Sequence, residues 1–167
     1  KTIRNISCSA FKITESNKQI CAVDGVIYSK DKKILIAYPR HKQGDFVIPD
    51  GTEIIYDKAF SSSDITSVKI PDSVYRIKSG AFSNCEKLKR IGFNKTITDY
   101  SKYGDTGIFY GCQSLEPFTI PSHIETLGES MFSRCEAVEI KLQEGIRRLD
   151  ANSILLWERD SLDDELI

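Results

Sequence analysis

The sequence predicts a right-handed solenoid of short parallel β-strands, wound in coils of about 22 residues. The first observation is a recurring Ile-Pro pair, at Ile48-Pro49, Ile70-Pro71 and Ile120-Pro121. The second is an aromatic residue at the same distance after each pair, namely Phe60, Phe82 and Phe132. Because one coil of this kind cannot bury its apolar side alone, equivalent positions of successive coils are expected to stack.

Two further coils carry degenerate versions of the pattern. The same spacing, counted from Phe93 and from Leu142, finds apolar residues at the expected positions. In the Phe93 coil the aromatic residue is Phe109, which comes four positions late and predicts an insertion within residues 101–107. The repeats are therefore expected over residues 46–154, as about five coils.

Each coil is expected to contain one main strand. The apolar alternation at Ile91 and Phe93 predicts a strand with one buried face, and the proline after each origin Ile ends that strand because it has no N–H. The Gly80–Cys85 segment is too short for a regular helix and predicts a helical or 3₁₀ turn. Parallel strands, paired in chain order, are predicted near Ile65–Ile70, Leu88–Phe93, Leu115–Ile120 and Val138–Leu142.

The two ends of the chain depart from the repeat. Residues 1–45 are predicted to form a partial repeat and a β-hairpin linking module, whose strands, 24–28 and 34–39, flank a polar turn. Residues 155–167 are predicted to be a C-terminal cap or tail, in which Trp157 covers the last coil and is followed by an acidic stretch, residues 158–167. Two registers are open at the N-terminus: Cys8, Phe11 and Ile13 match Cys135, Val138 and Ile140, or Ile3, Ile6 and Phe11 match Val74, Ile77 and Phe82.

Composition excludes several classes of protein. The formal net charge of −1 argues against a nucleic-acid partner, which usually requires a basic excess. No stretch approaches 18 consecutive apolar residues, so no membrane-spanning helix is expected. Five cysteines are too few for a disulfide scaffold in a chain of 167 residues. Residues 1–5 do not resemble a secretory signal, although one could have been removed before them.

Three cysteines, Cys85, Cys112 and Cys135, occupy one position of the repeat, three residues after the aromatic residue. A column of buried free thiols explains this register, since free Cys behaves as a small hydrophobe. A metal or catalytic cluster would need partners, and the two histidines, His41 and His123, lie far apart in the sequence. His123 is expected to be solvated. The sequence thus predicts no catalytic residue, no metal site and no cofactor, and the chain is not expected to be an enzyme.

The joined motifs resemble the BspA-like leucine-rich repeats, a group related to the treponemal type. The group's pattern appears here as Ile70-Pro71, Val74, Ala81-Phe82, Asn84-Cys85 and Leu88, and its linking module resembles residues 23–28 and 35–39. The resemblance extends to about Asn152 and implies a leucine-rich-repeat fold. Gln143 in place of proline and Ile154 in place of phenylalanine depart from it.

The resemblance also implies a secreted or cell-surface protein with an adhesion-type role, binding an extracellular protein or glycan, and a chain that is part of a longer repeat array. Polar positions between the strand anchors would form the contact surface, because repeat proteins commonly bind partners on an extended face. The inserted loop is a second candidate, since loops on rigid scaffolds often carry function. The alternative is a structural spacer that binds nothing itself. The candidate contact residues are Lys69, Lys89, Arg90, Tyr103, Thr119 and Lys141.

Overall fold

The computed structural model describes residues 7–100, 107–136, 139–150 and 153. In this part of the chain all regular structure is β-strand. The strands are β1 (Ile20–Val23), β2 (Val26–Ser29), β3 (Ile34–Ala37), β4 (Gly44–Val47), β5 (Ile54–Ile55), β6 (Ile65–Lys69), β7 (Arg76–Ile77), β8 (Arg90–Gly92), β9 (Phe118–Thr119), β10 (Thr126–Leu127), β11 (Ile140–Lys141) and β12 (Arg148–Leu149).

The N-terminal module is an antiparallel meander of β1, β2 and β3. The predicted hairpin between β2 and β3 is confirmed, with Ile27 opposite Ala37. A second hairpin joins β1 to β2 through Asp24 and Gly25, which have φ of 48° and 78°. Positive φ at both central residues defines the turn type that suits a two-residue hairpin, so Asp24 and Gly25 form a turn and the predicted strand 24–28 begins only at Val26.

The solenoid has two rows of parallel strands. In the first row β4 pairs with β6 and β6 with β8, while β9 pairs with β11. In the second row β3 pairs with β5 and β5 with β7, and β10 pairs with β12. The meander therefore continues directly into the second row through β3. This stacking of equivalent positions about 22 residues apart confirms the predicted solenoid.

The predicted pairing of consecutive first-row strands is wrong at one step, because β8 and β9 do not form a ladder. Near these strands the two coils are joined by a backbone hydrogen bond from Glu116 N–H to Lys89 O at 3.0 Å, and further bonds join the same coils at the aromatic turns. The coil between these strands contains the insertion, and Pro117, directly before β9, has no N–H to donate. The observed strands are also shorter than predicted, and residues 137–138 lie outside the described residues.

The turns around the aromatic residues correct the expected helical or 3₁₀ segments. A left-handed residue lies two positions before the ring, as at Lys58 and Gly80, and another two positions after it, as at Ser62 and Asn84. Both helix types require negative φ at consecutive residues. Alternate N–H groups also leave the turn: Phe60 N–H donates to Ala81 O in the next coil, 2.8 Å away. The described residues of these segments are therefore stacked turns rather than helices.

The core is a stack of aromatic rings along the solenoid axis. Ring centroids of successive members are separated by 4.8, 4.6, 5.2 and 5.6 Å. The predicted burial of the four phenylalanines is confirmed, since each has 0% of its surface exposed. Among the described residues the stack begins in the linking module and comprises Tyr38, Phe60, Phe82, Phe109 and Phe132.

A column of sulfur atoms runs beside the rings. Cys85, Cys112 and Cys135 are free and fully buried, which confirms the predicted buried thiols. Each S–H donates to the carbonyl of the aromatic residue one coil earlier; the distance from Cys85 Sγ to Phe60 O is 3.0 Å. Burial raises the pKa of Cys135 to about 12 and that of Cys112 well above its ordinary value. These thiols are therefore packing elements whose donors are satisfied.

Candidate functional site: the strand face

We call the outward side of the first row, formed by β4, β6, β8, β9 and β11, the strand face. Register places Val47 opposite Lys69 and Lys69 opposite Gly92, and it places Thr119 opposite Lys141. Gly92 has no side chain and therefore leaves a gap in this column. A Cβ at this position would lie 3.3 Å from the Cα of Lys69. The column thus has two parts, one with Val47, Lys69 and Gly92 and the other with Thr119 and Lys141, and each presents residues from successive coils.

The five predicted contact residues that the structure describes are exposed but do not form one cluster. Lys69, Lys89 and Arg90 project from neighbouring strands or their starts in one sheet, whereas Thr119 and Lys141 belong to a separate strand pair. Tyr103 lies outside the described residues. The break between β8 and β9 therefore divides the predicted surface into two parts.

The charges of the strand face are partly neutralised within it. Arg90 Nη2 lies 3.4 Å from Asp45 Oδ2, and the pKa of Asp45 is lowered by hydrogen bonds from Ser67 and Thr66 and by Arg90. Lys141 has a similar neighbour in Glu139, 3.5 Å away. No carboxylate of the described residues pairs with Lys69 or Lys89, so these two cations are available to a ligand.

A groove of about 580 Å³ adjoins the strand face where the first row ends at the prolines. Val47, which is 64% exposed, and Lys69 stand at its edge on the strand face. We call it the proline groove, and its other lining residues include Pro49, Asp50, Pro71, Asp72, Phe93 and Lys95. A shallower depression of about 390 Å³ continues from Val47 and Lys69 across the strands to Arg90 and Gly92.

Exposed aromatic residues lie on the other strand row, which the sequence analysis did not anticipate. Tyr56 follows β5 and is 36% exposed, and Tyr75 precedes β7 and is 48% exposed. Lys78 Nζ lies 4.1 Å from the centre of the Tyr56 ring, a cation–π distance. The half-buried Ile34 and Ile54 are register partners on the same row. We call this surface the tyrosine face.

His123 corrects the expectation of a solvated side chain. It is half-buried, and its Nε2 lies 2.7 Å from the backbone oxygen of Asn94. Asn94 takes the place of the repeat proline, and its Nδ2 donates to Pro71 O at 3.1 Å and to Val74 O at 2.6 Å. Since Asn94 is 1% exposed, the Asn94-Lys95-Thr96 triplet is not an accessible glycosylation acceptor in the folded chain.

A polar cluster beside the N-terminal module escaped the sequence analysis. The Ser7 Oγ lies 2.6 Å from His41 Nε2, and His41 Nδ1 lies 3.0 Å from Asp64 Oδ2. The other carboxylate oxygen of Asp64 is 2.8 Å from Lys87 Nζ. These residues come from the N-terminal segment, a loop and two different coils, so no local spacing could have indicated their contact.

The part of the chain that the structure describes contains no helix long and apolar enough to cross a membrane. Within the same residues, no group of three or more His, Cys, Asp or Glu side chains is arranged to hold a metal ion.

The coils repeat an Ile-Pro strand end, an aromatic turn and a buried cysteine position, and equivalent positions stack on one another. This arrangement defines a leucine-rich-repeat solenoid. The chain belongs to the family described as BspA type leucine-rich repeat region, whose model matches residues 37–155 in six copies. No curated protein sequence matches the chain significantly.

Three solved structures resemble the chain. A leucine-rich cell surface protein from Faecalibacterium prausnitzii is 29% identical with a TM-score of 0.63, over 80% of this chain and 40% of that one. The pneumococcal vaccine antigen PcpA is 21% identical with a TM-score of 0.66, over 87% and 37% of the two chains. A leucine-rich repeat protein from Eubacterium ventriosum is 20% identical with a TM-score of 0.56, over 92% and 54%. The chain thus spans about half or less of each structure's length.

Proposed function

We propose that the repeats form a binding module of a secreted or cell-surface protein, and that the strand face with the proline groove contacts an extracellular protein or glycan. The observation that carries the proposal is the groove of about 580 Å³ with exposed Val47 and unpaired Lys69 at its edge. Ligand sites are typically concave, mostly apolar clefts with a few polar groups that fix orientation. The description of the Faecalibacterium relative as a cell surface protein supports the location.

The proposal assigns different roles to the predicted residues. Lys69 and Lys89 make charge-assisted contacts to the partner, because no carboxylate in the described part of the chain neutralises either of them. Arg90, Thr119 and Lys141 contribute at the rim, where exposed polar contacts are worth less. Tyr103 in the inserted loop remains a proposed contact of the same partner.

The first test is a screen of the purified chain on an array of immobilised extracellular matrix proteins and glycans, followed by titration of any hit. Lys69→Glu and Lys89→Glu should each weaken binding by about tenfold or more, the loss expected at a contact worth over 1 kcal/mol. The matched control is Lys58→Glu, which makes the same charge change on an aromatic turn. Equal losses of binding in all three variants would contradict the proposal that the partner contacts the strand face.

The tyrosine face provides a second arm, because Tyr is enriched at binding hot spots. Tyr56→Ala and Tyr75→Ala should leave binding at the strand face unchanged. Loss of binding in these variants alone would move the contact to the second row. A chain that saturably binds no array member would favour the alternative of a structural spacer.

A further inference from the structure

The cluster of Ser7, His41 and Asp64 is held in place by the backbone as well as by its side chains. The His41 N–H donates to Cys8 O at 2.9 Å, which fixes the segment carrying Ser7 against the loop carrying His41. The Asp64 N–H donates to Arg40 O at 2.8 Å, which fixes the carboxylate beside the same loop. Three segments distant in sequence therefore meet in a defined geometry.

Hydrogen bonding settles the roles of the two imidazole nitrogens. Lys87 and then His41 lower the pKa of Asp64 by hydrogen bonding, so its carboxylate is ionised and can only accept. The proton of the neutral imidazole therefore belongs on Nδ1, facing Asp64 at 3.0 Å. The lone pair of Nε2 then faces the Ser7 hydroxyl at 2.6 Å. This order of donors and acceptors is that of a nucleophile, a general base and an orienting acid.

We propose that Ser7 is an activated nucleophile that takes an acyl group from small activated esters, an activity that goes beyond binding by the repeats. The Ser7 Oγ forms a bond to the ester carbonyl carbon, and the hydroxyl proton passes to His41 Nε2. The bond to the leaving alkoxide or aryloxide breaks, and that group departs with the electron pair and takes up the proton. Water then attacks the acyl-serine with His41 as base, releasing the carboxylic acid and restoring Ser7.

The site is open, and this determines its substrate class. Ser7 is exposed, and the side chain of His41 is 55% exposed. Ser7 and His41 contact the reacting atoms, whereas Asp64 is a positioning residue that acts through His41. The expected substrates are therefore small, soluble esters with good leaving groups.

The experiment uses a fluorophosphonate probe on the full chain, with the labelled serine located by peptide mass spectrometry. Ser7 should label at least about tenfold faster than Ser9, since general-base catalysis typically contributes 10²–10⁴-fold. Ser9 is the internal control, because it is exposed two residues away and has no histidine contact among the described residues. His41→Ala should reduce labelling of Ser7 to the level of Ser9.

Two further readouts separate catalysis from a merely structural contact. Asp64→Asn should slow labelling, and Asp64→Glu should restore part of it. Ser7→Ala should abolish the burst of p-nitrophenol from p-nitrophenyl acetate. Equal labelling of Ser7 and Ser9 in the unmodified chain would overturn the proposal and identify the cluster as a structural clasp.

Discussion

At the scale of single residues, the ring stack is the part of the core where packing between coils is most regular. Phe60 and Phe82 are stacked with centroids 4.6 Å apart and planes within 18° of each other. Aromatic pairs at 4.5–7 Å contribute about 0.5–1.5 kcal/mol beyond the burial of their area. Each ring is also enclosed by the coils on both sides, so truncating one removes contacts from its neighbours as well.

Phe82→Ala should lower the free energy of unfolding by about 3–5 kcal/mol, the usual cost of removing a buried phenylalanine. Chemical denaturation monitored by circular dichroism measures the change in midpoint. The matched control is Tyr75→Ala, an exposed aromatic residue whose removal should cost about 1 kcal/mol or less. An unchanged midpoint for Phe82→Ala would refute the assigned register.

The sulfur column gives a second prediction at this scale. Cys85, Cys112 and Cys135 should react with a thiol reagent only after unfolding, because each is 0% exposed and its S–H is hydrogen-bonded. Cys8 and Cys21 are half-buried and should react faster in the folded chain. Mass spectrometry after brief labelling distinguishes the two groups, and rapid modification of the column in the native protein would contradict it.

At the scale of elements, the aromatic turn is the unit whose conformation the sequence predicted least well. Its left-handed positions are occupied by residues as different as Lys58, Gly80, Asn84 and Arg134. Non-glycine residues pay roughly 1–2 kcal/mol in this conformation. The conformation persists because alternate N–H groups of the turn are hydrogen-bonded to the next coil, a constraint that comes from stacking.

Lys58→Gly should raise the free energy of unfolding by up to about 1 kcal/mol, because glycine adopts φ of 54° without steric cost. The equivalent residue one coil later is already Gly80, with φ of 57°. Ser61→Gly, in the same turn but without positive φ, should instead be destabilising by about 0.5–1 kcal/mol. Denaturant unfolding measures both changes. A loss of stability in both variants would contradict the conclusion that the backbone of Lys58 is strained.

The sequence predicted those elements whose residues repeat in register. Phe60 and Phe82 recur at a fixed spacing because each fills the same buried space in its own coil. The same holds for Cys85 and Cys112, so the buried positions can be recognised from their spacing in the sequence. The missing ladder between β8 and β9 could not be predicted, because it depends on the path of the inserted coil. The contact of Ser7 with His41 joins residues 34 positions apart. It follows no repeat, so no pattern signalled it.

At the scale of the whole molecule, the solenoid is a rod with different chemistry on each side. The strand face carries cations and the proline groove, the second row carries exposed tyrosines, and the third side consists of hydrogen-bonded turns. Of the candidate contact residues, those that the structure describes are exposed, while their role in binding stays a prediction. Two features arise from packing between coils. These are the division of the candidate contact residues into two groups and the tyrosine face. The domain boundaries at residues 45 and 155 stay predictions.

The buried acidic groups of the core should make the entire fold sensitive to alkali. Burial raises the pKa of Tyr38 and of Cys135 to about 12, whereas unfolded tyrosine and cysteine titrate near 10 and 8.5. Above pH 8.5 the unfolded chain therefore binds fewer protons than the folded chain, so the free energy of unfolding falls as pH rises. The stabilisation is complete below about pH 8 and declines through about pH 12.

Denaturant unfolding under reducing conditions at about pH 7 and about pH 10 measures this decline, since the window lies above the ordinary thiol pKa. Cys135→Ala removes one of the responsible groups, so it should destabilise the chain at neutral pH through lost packing but show a shallower fall in stability between the two pH values. The comparison within each protein separates titration from packing, because packing loss is independent of pH. Parallel declines in both proteins would show that the Cys135 thiol does not govern the alkaline transition and that other buried groups with raised pKa, such as Tyr28, Tyr38 and Cys112, account for it.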